Sequence, residues 1–246
     1  MNVDLLGSVA LTMSASLVVA ILAVGLGTTA RSRATIVAVF GLWFLSVLAL
    51  AATETLHTPG LAGVAGLGLA IAAPMLTMII AAIASGRVRR SLLRVPVSSL
   101  VAANTVRVLG VSFLVLYSQG RLPASFALTA GWGDIAIGLT APIVAWLVAT
   151  RGAQARGPLT IWNALGLLDL IVAISLGITS SPAMQAGATA ANSGVMTTLP
   201  WLLVPGFLVP TLAASHLAIF YRLRVGLEHE TASLTRTTAH PTPATL

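Results

Sequence analysis

The chain has no cysteine and no lysine, and it has few charged and few aromatic residues. The lack of cysteine excludes disulfides, thiolate metal ligands and a cysteine nucleophile. Only 8% of its 246 residues are charged and 57% are hydrophobic, whereas a soluble domain carries about 25% charged residues because its surface must face water. The composition therefore excludes a soluble globular protein and predicts a polytopic membrane protein.

The basic residues are all arginine, and most of them lie in short segments between apolar runs. The sequence pI of about 11.7 is also typical of proteins that bind nucleic acid. However, arginine confined to short loops is the pattern that sets the orientation of a membrane protein. We therefore expect membrane lipids as partners, and no nucleic acid.

Seven apolar runs are each about 20 residues long or longer, which is enough to cross ~30 Å of hydrocarbon as a helix. Asp4 precedes the first run and no basic residue does, so we predict a retained span rather than a signal peptide. The fold class predicted is an all-α integral membrane protein, a bundle of seven transmembrane helices over residues 1–224. A disordered cytoplasmic tail is expected over 225–246. The predicted spans cover about 5–27, 36–56, 61–84, 96–118, 125–149, 158–178 and 198–221.

The arginines are distributed unequally between the two sides of such a bundle. Eleven of the thirteen follow the first, third, fifth or seventh run, and only Arg121 follows an even-numbered run. Cytoplasmic segments carry the excess of basic residues in membrane proteins. The distribution therefore predicts an outside N-terminus, a cytoplasmic C-terminus and a multi-pass protein of the cytoplasmic membrane.

Three charged residues lie near the middle of three successive runs. Arg107 is about eleven residues into the fourth run, Asp134 about ten into the fifth and Asp169 about eleven into the sixth. An isolated charge at that depth costs roughly 2.5–3.5 kcal/mol on insertion scales. Since all three side chains come out near the midplane, the sequence predicts that they face one another inside the bundle.

The residues around these charges support an inward-facing position. At about 100° per residue, Asn104 shares a face with Arg107, and Asn163 shares a face with Asp169. Each aspartate also lies in a stripe of small residues, the kind of face that packs against protein rather than lipid. We therefore predict a buried polar site that consists of Asn104, Arg107, Asp134, Asn163 and Asp169.

The charge balance of this site allows two interpretations. One guanidinium facing two carboxylates leaves a net negative charge, and such a group would share protons and titrate as a unit. That property suits a site for a proton, an ion or a small solute. A structural ion pair with one hydrogen-bonded acid has the same residues, so the sequence leaves both interpretations open.

The seventh run carries three prolines at intervals of five residues, in the sequence LPWLLVPGFLVP. A proline inside a helix removes a backbone N–H and clashes with the preceding turn. Gly206 beside Pro205 loosens the middle of the run further. We therefore predict a proline-kinked seventh span, with a hinge at Pro205, Gly206 and Pro210 that lines a cavity or is accommodated by its neighbours.

Signatures of catalysis and of cofactor binding are missing. The chain has no His-Glu-x-x-His, no Gly-x-Ser-x-Gly and no P-loop, so we predict no catalytic residue, metal or cofactor. The leading hypothesis is a small transporter or binding protein for a solute or a proton. One alternative is a structural or sensory membrane subunit whose charges only hold helices together. A membrane enzyme that acts on a lipid or quinone is a further alternative without a motif behind it.

Overall fold

Helices form where the sequence has its apolar runs, because a helix satisfies every backbone polar group without water. The computed structural model describes residues 2–57, 61–182, 184 and 191–239. Its α-helices are α1 (Val3–Leu26), α2 (Ala30–Ala52), α3 (Leu61–Ala84), α4 (Gly86–Arg94), α5 (Val97–Ala103), α6 (Val111–Ser118), α7 (Ala124–Arg151), α8 (Arg156–Thr179) and α9 (Val209–Ala239).

Side chains at the interfaces with water set several of the helix starts. The Asn2 side chain accepts a hydrogen bond from the backbone N–H of Asp4 at the start of α1. Thr29 and Ser32 form a capping box at the start of α2, and Ser85 caps α4. These polar residues satisfy N–H groups that have no partner within the helix.

Among the described residues, six helical stretches are long and apolar enough to cross a membrane, and one of them covers residues 124–179. At about 1.5 Å per residue that stretch would exceed the membrane thickness more than twofold as one helix. It consists of α7 and α8, which pack against each other and are joined by a 3-10 turn over Gly152–Ala155. The seven-helix membrane bundle predicted from sequence is therefore confirmed.

The two ends of the bundle differ in charge. We call one end the basic end; it contains Arg31, Arg33, helix α4, the turn between α7 and α8, and residues 222–224 of α9. Contacts hold these parts together: Arg156 donates to the Leu223 carbonyl, and Arg222 donates to the Leu92 carbonyl. At the opposite end, Asp4 accepts from Arg121 at 2.9 Å and from the indole of Trp201 at 2.7 Å.

Two spans depart from α geometry at membrane depth. The fourth span consists of α5, a seven-residue 3-10 segment (Asn104–Gly110) and α6. The seventh span begins with a π segment (Val204–Leu208) that leads into α9. Pro210 has no N–H to offer the Gly206 carbonyl, which is the physical reason for a break here. The structure thus departs from α geometry next to Pro205 and Pro210, and the hinge at these residues stays a prediction.

The C-terminal segment differs from its prediction. The sequence predicts a disordered tail from residue 225, whereas the structure continues α9 to Ala239. Because α9 is already formed and packed in the bundle, its extension requires no new helix nucleus. Residues 240–246 of the predicted tail lie outside the described residues.

Candidate functional site

Arg107 is the centre of the buried polar site. Its Nε donates to Asp134 Oδ1 at 2.7 Å, and its Nη2 donates to Asp169 Oδ2. Its Nη1 donates to the Gly166 carbonyl at 2.9 Å. Arg107 is only 3% exposed, so these bonds replace the water that a guanidinium would otherwise require.

Each of the two carboxylates accepts hydrogen bonds through only one of its two oxygens among the described residues. Each gives one oxygen to Arg107, and within the described part of the chain Asp134 Oδ2 and Asp169 Oδ1 accept no hydrogen bond. Their side chains keep 14% and 15% of their surface exposed, against 1% for the Arg107 side chain. The site therefore has one fully enclosed cation and two anions that retain unused acceptor oxygens.

Glycines make the close approach of the spans possible. A Cβ on Gly110 would lie 2.6 Å from the Asp134 Cβ and 2.7 Å from the Gly131 carbonyl oxygen. A Cβ on Gly133 would collide with the Asp169 carboxylate, and one on Gly138 would collide with the backbone of Val108. The small residues seen in the sequence are thus the surfaces on which the 3-10 segment and α8 meet α7.

His216 of α9 belongs to the same cluster, although it is not among the site residues predicted from sequence. Its Nδ1 lies 2.8 Å from Asn163 Oδ1, and its Nε2 lies 3.4 Å from Arg107 Nη1. Asn163 Nδ2 donates to the His216 carbonyl at 3.0 Å, which leaves Asn163 Oδ1 as the acceptor. Since arginine can only donate, the partners assign a neutral His216 with its proton on Nδ1.

Asn104 has different hydrogen-bond partners from the other predicted site residues. It is fully buried, and its Nδ2 donates to the Leu100 carbonyl at 3.0 Å and to Ser215 Oγ at 3.2 Å. It contacts span seven one residue before His216 rather than either carboxylate. The structure thus brings together Arg107, Asp134 and Asp169, joins Asn163 to them through His216, and uses Asn104 to hold α5 against α9.

Two small cavities reach the site. One of about 50 Å³ extends from Asp134 to Ser193 and Met196 at the opposite end, past Val204 and Pro205 of the π segment. Another of about 30 Å³ lies between the 3-10 segment and the π segment and touches Arg107 and Asp134. Apart from the residues of the charged site and Ser193, their linings are apolar.

The predicted hinge residues lie beside these cavities or against neighbouring helices. Pro205 lines the larger cavity. A Cβ on Gly206 would lie 3.0 Å from a Val47 methyl group of α2, so α2 approaches the π segment closely at this point. Pro210 is buried in the first turn of α9.

Among the described residues, no group of three or more His, Cys, Asp or Glu side chains is placed to hold a metal ion. The polar site instead has two carboxylates that both contact a guanidinium.

Comparison with known proteins gives one family. The sequence model of a domain of unknown function (DUF8737) matches residues 64–224, a range that contains Arg107, both aspartates, Asn163 and His216. No curated protein and no solved structure matches the chain.

Proposed function

We propose, for a chain that belongs to the family of this domain of unknown function, that its mid-membrane site binds and releases a proton. The protein would be a small proton-coupled transporter or proton-responsive membrane protein. Asp134 and Asp169 would hold the exchangeable proton, and Arg107 would serve as their fixed counter-charge.

The observation that carries the proposal is the unequal pairing of charges. Arg107 is enclosed and contacts both carboxylates, while one oxygen of each carboxylate accepts nothing among the described residues. The uncompensated negative charge is unfavourable in a medium of low dielectric constant. A single bound proton removes that charge without moving any helix, so proton binding is the simplest chemistry available to the site.

The size of the cavities favours a proton over an organic solute. Pockets that take small molecules usually measure about 300–1,000 Å³, and the larger cavity here measures about 50 Å³. A cavity needs only about 10–15 Å³ to hold a water molecule. The cavity that Ser193 and Asp134 line is therefore large enough for a few waters, which would carry a proton between these two polar residues.

Access to the site is asymmetric. The larger cavity leads from Asp134 toward the end of the bundle that contains Ser193 and Met196. On the side toward the basic end, Asn163, His216 and Trp162 are packed together, with the ring centroids of Trp162 and His216 5.6 Å apart. A proton released toward the basic end would require this cluster to separate, and the π segment of span seven is the neighbouring element able to move.

A structural role is the second candidate, and the enclosure of Arg107 favours it. The guanidinium contacts two carboxylates, a carbonyl and an imidazole from three other spans. Such a clasp holds helices in register without any exchange of protons. Under this alternative, the net charge of the site would be fixed over the working range of pH.

Reconstituted vesicles with an internal pH indicator distinguish the two candidates. After an external acid pulse, we expect the unaltered protein to speed proton entry over protein-free vesicles and the Asp134→Asn variant to lose that effect. Asp4→Asn is the matched control, because Asp4 also contacts an arginine but lies at the end of the bundle. Equal proton entry with the unaltered protein, with Asp134→Asn and without protein would support the structural clasp.

A further inference from the structure

Helix α4 differs from every other helix in the bundle. It has nine residues, GRVRRSLLR, four of which are arginine. It is too short to cross a membrane and lies at the basic end between the third and fourth spans. Ser85 caps its start, and Val95, which is fully buried, directly follows its end.

The arginines of α4 form a row on its outer face. At about 100° per residue, Arg87, Arg90 and Arg94 fall within an arc of about 60°. Val88 and Leu92 lie on the other side, and Leu92 packs against the hydrophobic core. The helix is therefore anchored by its apolar side, and its three aligned guanidiniums point away from the bundle.

Among the described residues, no carboxylate pairs with these guanidiniums. All four arginines of α4 are exposed, and within the described residues none of them forms an ion pair with a carboxylate. Two acidic residues follow span seven in the sequence, Glu228 and Glu230, and both belong to the later part of α9. The surface is thus strongly cationic and lies where lipid headgroups would be.

We infer that α4 is a binding surface for anionic phospholipids of the leaflet at the basic end, with Arg87, Arg90 and Arg94 contacting the headgroup phosphates. An amphipathic basic helix in the interface plane has this lipid preference. Arginine suits phosphate because its planar guanidinium can donate two parallel hydrogen bonds. The surface is separate from the mid-membrane site, so the inference does not depend on proton binding.

The test uses lipid quenching of a fluorophore on α4. Because the chain has no cysteine, Leu93→Cys on α4 provides a single attachment point at an exposed side chain. The labelled protein is reconstituted in phosphatidylcholine vesicles that contain brominated phosphatidylglycerol or brominated phosphatidylcholine. We expect the anionic quencher to bind severalfold better at low salt, and the preference to disappear at high salt because exposed charges are screened.

Two triple variants identify the surface responsible. Each arginine near a membrane surface contributes up to about fivefold in anionic-lipid affinity, so Arg87→Gln/Arg90→Gln/Arg94→Gln should bring the ratio of the two quenchers close to one. Arg31→Gln/Arg33→Gln/Arg151→Gln removes the same charge from other parts of the basic end and should keep most of the preference. Inorganic phosphate should lower the ratio no more than sodium chloride of equal ionic strength, because the ligand is the lipid headgroup.

Three results would overturn the inference. One is equal quenching by both lipids with α4 unaltered, another is equal loss of preference in both triple variants, and the third is competition by free phosphate beyond its ionic strength. The salt titration of the protein with unaltered α4 keeps the test decisive if a triple variant fails to fold.

Discussion

At the scale of single residues, substitution of Arg107 should have a large effect on the free energy of unfolding. Its four polar partners come from α7, α8 and α9. Removal of one member of a buried ion pair leaves an uncompensated charge, whereas removal of the whole group leaves none. The free energy of unfolding should therefore respond differently to the two kinds of change.

Arg107→Met should lower the stability by about 3–5 kcal/mol, the usual cost of breaking a buried pair. The triple variant Arg107→Met/Asp134→Asn/Asp169→Asn should recover most of that loss, because no buried charge is left and the side-chain volumes are close to the originals. Thermal unfolding in one detergent, monitored by circular dichroism, provides the comparison. A triple variant that is less stable than Arg107→Met alone would contradict this account of the site.

His216 is part of the site but is not predicted from sequence, because of its position along span seven. His216 lies about eighteen residues into the predicted seventh span (198–221), closer to the basic end than to the midplane. An arginine side chain reaches several ångströms from its Cα, and Arg107 Nη1 comes within 3.4 Å of His216 Nε2. Positions along the spans do predict that Arg107, Asp134 and Asp169 lie at one depth. Spans four to six alternate in direction and are joined by short turns.

At the scale of elements, the site depends on the packing of α8 against α9. A Cβ on Gly166 would collide with the His216 ring, which Asn163 and Arg107 hold on both sides. A ring fixed in this way cannot move aside cheaply. A side chain at position 166 would therefore displace the ring or push α8 away from α9.

Gly166→Ala should lower stability by about 1–3 kcal/mol, the usual cost of overpacking. Gly157→Ala is the matched control on the same helix, because its added Cβ would meet nothing within 4 Å. Since alanine is the better helix former, that control should be neutral or more stable by about 0.5–1 kcal/mol. Equal thermal midpoints for the two variants would show that α8 and α9 are packed more loosely at this point.

Sequence patterns indicate that span seven departs from regular α geometry, but they do not indicate which geometry replaces it. Pro205 and Pro210 predict an interruption, because each removes a backbone N–H. The structure resolves it as a five-residue π segment over Val204–Leu208. No pattern marks the 3-10 segment over Asn104–Gly110, whose tighter winding follows from tertiary contacts of Gly110 with α7.

At the scale of the whole molecule, the number and class of spans follow from composition and run length alone. Each apolar run becomes a membrane-length helical stretch, although 198–203 of the seventh run are not part of its helix. The amphipathic helix α4 requires the structure, because its nine residues are too few for a span and too basic for an apolar run. The orientation of the bundle remains a prediction from the arginine distribution.

Labelling of single cysteines from one side of the membrane tests that orientation. Met184 is exposed beyond α8 and Arg89 is exposed on α4, and the chain has no cysteine of its own. A membrane-impermeant maleimide should label Met184→Cys in intact cells, and Arg89→Cys only after the membrane is made permeable. Labelling of Arg89→Cys alone in intact cells would reverse the orientation and place the basic end outside.

The carboxylates at the centre of the bundle are proposed to exchange a proton. Infrared difference spectra between acidic and alkaline pH test this claim most directly, because a protonated carboxyl has a C=O band that a carboxylate lacks. Since the chain has six acidic side chains, we expect Asp134→Asn/Asp169→Asn to lose only the component of this band that Asp134 and Asp169 contribute. Asp4→Asn should retain that component. Identical difference spectra for the unaltered protein and the double variant would contradict the claim and leave Arg107, Asp134 and Asp169 as a structural clasp.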